Sequence, residues 1–362
     1  MALPTAATTV ADDGLVAERR SGFGDWLQTW RVRSAALALV VAGVTVGIAG
    51  GTSYRAGRQI DPGLRLLDPR RSPTLDEVGA AQPIEYALTS DEANDVVFFG
   101  DSTCHDGVDP VLFERLCGLR AYNIGSGRGL GPSGMAVTVM AYLLHHPRPR
   151  AIVLCCTPFC FENDSGTIGG DFPERFVANY GPDVRGVVSP AESIAYFVKR
   201  GAVSLLDPRA REVRDDPLDG LERETYRTLE SKMRQSRGFF LLPGLHGPEQ
   251  GVARPGPENL VHDDWDRGIR MMIESCRAQS VPFFIRFTPI VSDEGDARDF
   301  GKLEAWAQRL ESSYENFHVV RPLILTYDQA LMWDSIHLNA AGVAKFMPTL
   351  AKEVQGELAG KK

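Results

Sequence analysis

The sequence predicts an α/β protein built on a mostly parallel, five-stranded sheet with helices on both faces. Three observations carry this. Short apolar runs at 96–99 and 151–156 contain no polar interruption, as strands buried on both sides require. Between the strand patterns lie stretches with helix start and stop signals, so strand and helix alternate along the chain. The first two strands run into turns of small and polar residues, "GDS" at 100–102 and "NIG" at 123–125. In parallel sheets the site lies beyond such carboxyl ends.

Residues 1–33 read as an N-terminal tail rich in Ala, Thr and charge, with Trp26 and Trp30 suited to a membrane interface. From 34 to 54 there is no charged residue, and "AALALVVAGVTVGIAG" is apolar throughout. That suits a transmembrane helix, which needs about 20 such residues. A cleaved signal peptide fits less well, because the leader is long and no A-x-A site follows. A buried soluble helix would show a polar face, and this segment shows none. Arginines flank both sides, at 19, 20, 31 and 33 and again at 55, 58, 65, 70 and 71. The positive-inside rule therefore leaves orientation open, and the expectation is a short tail inside with the large domain on the extracytoplasmic side. Residues 55–94 read as a linker punctuated by Pro62, Pro69, Pro73 and Pro83.

The domain expected at 95–357 begins with a strand at 96–99. A helix over "DPVLFERLCG" follows, with Asp109 as N-cap and Pro110 at its first position. "RAYNIG" reads as the second strand, "GPSGMAVTVMAYLLHHP" as a helix closed by Pro147, and "RAIVLCC" as the third strand. An insertion rich in Gly and Pro occupies about 157–260. Alternation then resumes with an amphipathic helix over "HDDWDRGIRMMIESCRAQS" and a fourth strand, "VPFFIRFTPI". A helix around "KLEAWAQRLESSY", the strand "FHVV" and a final helix capped by Asn339 complete the domain.

Composition narrows the chemistry. A net charge of −8, with no basic run interleaved with aromatics, argues against nucleic acid as a partner. The 6 cysteines are too few and too unevenly placed for a secreted disulfide framework. No second ligand cluster accompanies Cys155, Cys156 and Cys160, so they read as buried small hydrophobes and no metal is expected. "GLGPSG" at 129–134 matches G-x-G-x-x-G, but extra residues separate it from the strand and no acidic residue ends the next strand. No cofactor is expected. Arg286, inside an apolar strand, reads as a paired structural arginine, with substrate-anion binding as the other reading.

Ser102 is either a common turn and cap residue or a nucleophile held at a sheet edge. A serine hydroxyl needs a base, and the base needs an orienting group. Of the seven histidines, His337 lies in "MWDSIHLNAAG", in a loop before the last helix, with Asp334 three residues earlier. On a turn that spacing lets the carboxylate reach one imidazole nitrogen and leave the other for Ser102. His105 is three residues from Ser102, with no acidic orienter evident beside it. Asn123 and the Gly125 amide, after the second strand, are candidate donors for an oxyanion, or simply a strand-to-helix turn.

Gly100-Asp101-Ser102, Asn123-x-Gly125 and Asp334-x-x-His337 together resemble the SGNH or GDSL hydrolase superfamily, over about 95–156 and 262–357. The resemblance implies a flavodoxin-like three-layer sandwich and an esterase, lipase or carbohydrate O-acetyltransferase activity. It implies Ser102 as nucleophile, His337 as base, Asp334 as orienter, and an oxyanion hole of the Ser102 and Gly125 amides with Asn123. Two positions depart from the family pattern. Thr103 stands as the fourth residue of the first motif, and the Gly-x-Asn-Asp block after the third strand is missing. Thr157 and Pro158 fall there instead, and Asn163 substitutes only if its loop folds back. The alginate and peptidoglycan O-acetyltransferase branch also lacks that block. The expectation is thus a membrane-anchored esterase or O-acyltransferase acting on small acyl esters, acetyl first, of carbohydrate. An acyl-donor partner in the membrane is left open. The alternative is a non-catalytic envelope binding or scaffold protein of the same fold.

Overall fold

Five successive apolar residues form an inner strand of the sheet and are buried on both sides. They form β1, Val96–Gly100, in a computed structural model that describes residues 75–126, 130–162, 231–239, 261–292 and 299–360, and the single positions 34 and 228. Apart from Ser34, these residues belong to one compact unit, Tyr54–Tyr196 with Glu212–Lys362. The other strands are β2 (Ala121–Asn123), β3 (Ala151–Cys156), β4 (Phe283–Phe287), β5 (Ile290–Val291), β6 (Phe317–Val319) and β7 (Thr326–Tyr327). The main sheet has the order β2-β1-β3-β4-β6, every pairing parallel. The mostly parallel five-stranded sheet read from the sequence is therefore present. Its fourth strand is shorter than "VPFFIRFTPI" suggests. Pro289 has no N–H to continue the ladder, and Ile290–Val291 pairs instead with Thr326–Tyr327 in a small second sheet.

The helices are α1 (Leu75–Thr89), α2 (Ser102–Gly107), α3 (Pro110–Cys117), α4 (Gly131–His145), α5 (Asp263–Ala278), α6 (Gly301–Ser313) and α7 (Ala340–Ala359). Period-two alternation along the strands divides the core. Val97, Phe99, Ile152, Leu154 and Ile285 pack with α1, α4, α5 and α6 on one face. Val96, Phe98, Val153, Cys155 and Phe284 pack with α3 and α7 on the other. The result is a helix–sheet–helix sandwich of three layers. Local signals agree with it. Asp109 accepts the Val111 and Leu112 amides at 2.9 and 3.0 Å to start α3, and Gly118 ends it in the left-handed region at φ 73°. In α5, Trp265, Ile269, Met272, Ile273 and Cys276 form one buried stripe.

Three expectations need correction or placement. The linker read over 55–94 contains α1, whose Ile84 and Ala87 are buried and whose Tyr86 ring stacks on Tyr122 at 3.4 Å. Pro83 lies inside that helix; burial of its neighbours outweighs the hydrogen bond a proline forfeits. The turn at Ser102 is in fact the start of a short helix, α2. The anchor at 34–54 lies outside the described residues except for Ser34; among the described residues no helix is long and apolar enough to cross a membrane. Most of the 157–260 insertion also lies outside them, including Asn163, as do the 1–33 tail and Gly129 of "GLGPSG".

The chain passes from β1 out to β2, returns over β1 to β3 and continues through β4 to β6. Its winding reverses between β1 and β3, which opens a crevice at their carboxyl ends. Gly100, Ser102 and Thr157 stand there.

Candidate active site

β1 approaches β3 so closely at its end that a Cβ on Gly100 would lie 1.6 Å from the Cys155 carbonyl oxygen. Any other residue would push the two strands apart. The next residue, Asp101, is still extended, and its carboxylate stitches three segments together. Oδ1 accepts the Thr103 amide at 2.9 Å, capping α2, and the Thr103 hydroxyl at 2.6 Å. Oδ2 accepts the Thr157 amide, just past β3, at 3.1 Å. Thr288 at the end of β4 extends the chain, its hydroxyl donating to that of Thr103 at 2.8 Å. Ser102 is thereby held as the first residue of α2, half-buried at the sheet edge.

His337 arrives from the segment between β7 and α7. A bridge between Met332 and Leu338 and the Trp333 amide bond to the His337 carbonyl, 2.7 Å, close this segment into a tight loop. Asn339 ends the loop by capping α7 through the Gly342 amide at 3.0 Å, and its own amide group donates to the Ala330 carbonyl at 2.8 Å. Inside the loop Asp334 Oδ1 accepts the Ile336 and His337 amides, each at 2.8 Å. Its Oδ2 meets His337 Nδ1 at 2.7 Å, and His337 Nε2 meets Ser102 Oγ at 2.8 Å. A carboxylate can only accept, so Nδ1 carries the proton and Nε2 accepts from the Ser102 hydroxyl.

No family model matches the chain, and no curated protein does. The chemistry of the site is that of its own side chains.

Burial raises the Asp334 carboxyl, but the hydrogen bond and charge of His337 and the two backbone amides outweigh it and hold the group below its ordinary value. Asp101 goes the other way: its complete burial lifts it above the ordinary range against the bonds from Thr103 and Thr157 and the charge of His337. Asp334 is the carboxylate bonded to the imidazole, and Asp101 is the brace of the turn that carries Ser102.

The structure brings Ser102, His337 and Asp334 together as read from the sequence. It does not present Asn123 and Gly125 as oxyanion donors. Asn123 is fully buried; its Nδ2 donates to the Cys104 and Val108 carbonyls at 2.8 Å each, and its Oδ1 accepts the Gly125 amide at 2.8 Å. Both residues are engaged in tying β2 to α2. Gly125 is there for close approach, since a Cβ would fall 2.8 Å from the His105 nitrogen. His105, for which no acidic partner was evident, has one: Nδ1 meets Asp106 Oδ1 at 2.5 Å, both side chains buried. Arg286 is a paired structural arginine, fully buried in β4 with Glu353 Oε2 3.1 Å from its Nε. The residues sequence reasoning missed are Thr157 and Thr288. Each directly follows a strand and precedes a proline, and that position at two carboxyl ends was the available signal.

Proposed function

We propose that this chain is a serine esterase or O-acyltransferase that works through an acyl-enzyme on small acyl esters, acetyl first, of carbohydrate. The supporting observation is the unbroken Ser102–His337–Asp334 chain, with contacts of 2.8 and 2.7 Å, at the carboxyl edge of the sheet. Strand order, the nucleophile turn and the late Asp-x-x-His also favour the flavodoxin-like SGNH/GDSL reading.

In this mechanism Ser102 Oγ attacks the ester carbonyl carbon while its proton passes to His337 Nε2. Asp334 holds the ring and stabilises the imidazolium. The tetrahedral intermediate collapses as the C–O bond to the alcohol breaks and His337 returns the proton to that alcohol. Water or a sugar hydroxyl, deprotonated by His337, then takes the acyl group and regenerates Ser102. The Ser102 amide, the first of α2, is one donor to the oxyanion. The apolar 34–54 segment supports a membrane anchor, and we place the domain on the extracytoplasmic side as part of this proposal.

A fluorophosphonate probe on the full-length protein in detergent tests the reading. Wild type is expected to label and Ser102→Ala to remain unlabelled; equal absence of label in both overturns it. Acetate release measured with and without oligosaccharide acceptors separates hydrolysis from transfer. The engagement of Asn123 and Gly125 away from Ser102 favours the second reading, a non-catalytic envelope binding or scaffold protein. The same probe decides between the two.

A further inference from the structure

We infer that the Thr157 hydroxyl is the side-chain donor to the oxyanion, an assignment that rests on the acyl-enzyme reading above. The parallel register pairs Gly100 with Cys155. Ser102 and Thr157 each follow that pair by two residues, past the ends of β1 and β3 at the crevice where the winding reverses. The bond from the Thr157 amide to Asp101 Oδ2, 3.1 Å, anchors this position to the residue that caps the nucleophile helix.

The side chain itself is the second observation. Thr157 is only 6% exposed, and among the described residues its hydroxyl has no hydrogen-bond partner. Leaving a buried hydroxyl without a partner is costly, so its retention at this point calls for an occupant. The surrounding donors are already taken. The Thr157 amide serves Asp101, the Thr103 and Thr288 hydroxyls donate within their own chain, and Asn123 and Gly125 serve each other and α2. Of these described groups, the Thr157 hydroxyl is the one without a partner. As the carbonyl carbon becomes tetrahedral, its oxygen takes up negative charge and accepts from the Thr157 O–H and the Ser102 N–H. No proton is transferred at that oxygen, and the charge returns to the carbonyl when the leaving alcohol departs.

The test compares kcat and KM for an aryl acetate across Thr157→Ser, Thr157→Ala and Thr157→Val in the full-length protein, with melting temperatures alongside. Ser and Ala differ here only by the hydroxyl. The Ala and Val variants are expected to lose roughly 10²–10³-fold in kcat, with KM within about threefold, whereas Ser turns over about 10²-fold faster than Ala. Phosphonylation of Ser102 should slow in the same order. Should Ala and Val fail to fold, Thr157→Cys substitutes a weak S–H donor and is expected to lose at least about tenfold. Folded Ala and Val variants within about threefold of wild type, or an unimpaired Cys variant, overturn the assignment while Ser102-dependent turnover leaves the esterase reading standing. A wild type without Ser102-dependent turnover overturns both.

Discussion

His337 Nε2 lies 2.8 Å from Ser102 Oγ although 235 positions separate the two residues in the chain. Each is held by a carboxylate of its own. Asp101 caps the helix that starts at Ser102, and Asp334 closes the loop that carries His337. The two carboxylates therefore answer differently to mutation and to pH.

Asp334→Asn keeps the acceptor for the Ile336 and His337 amides but turns an N–H₂ toward Nδ1, which drives the ring into the wrong tautomer. Steady-state ester kinetics at neutral pH should show kcat reduced about 10⁴-fold with KM little changed. A loss smaller than about tenfold would remove Asp334 from the role of orienter.

The folded-state value of Asp334 is lowered, so its contribution to stability is complete above the unfolded value, about 3.9, and is lost as pH falls through the folded value. Below about pH 5 the gap between the melting temperatures of wild type and Asp334→Asn should narrow, closing as pH falls under the folded value. A gap that widens with acid contradicts the sign of this linkage.

Asn123→Ala strips partners from the Cys104 and Val108 carbonyls and from the Gly125 amide in a fully buried site. Urea unfolding should show a loss of at least about 2 kcal/mol. The folded fraction is expected to keep Ser102 labelling; lost labelling at unchanged stability would return Asn123 to the oxyanion hole.

Glu353→Gln leaves the guanidinium of Arg286 buried beside a neutral group. The expected cost is toward the lower end of roughly 3–5 kcal/mol, because Glu353 retains 16% exposure. Arg286→Met combined with Glu353→Leu should recover most of it. A double-mutant cycle read by urea unfolding measures the coupling, and additive single losses would exclude a working pair.

Much of the scaffold was legible in residue order. The caps Asp109 and Asn339 and the apolar runs at β1 and β3 each act within a few residues, so local chemistry reveals them. α1 escaped notice because Pro83 inside it resembles linker punctuation, and only the packing of Ile84 and Ala87 on the sheet face makes that stretch helical. The triad was readable from Ser102 and Asp334-x-x-His337 once both were assigned to carboxyl ends.

Residue identity and spacing by themselves determined the parallel sheet, the nucleophile turn and the pairing of Asp334 with His337, because each depends on neighbours in the chain. Which donors remain beside Ser102 was decided only by the tertiary structure. Hydrogen-bonding groups are exclusive: Asn123 and Gly125 have the right types at the right strand end, yet the Cys104 and Val108 carbonyls and a bond between the two residues themselves engage them. The same exclusivity leaves the Thr157 hydroxyl buried without a partner among the described residues, at the carboxyl edge of the sheet.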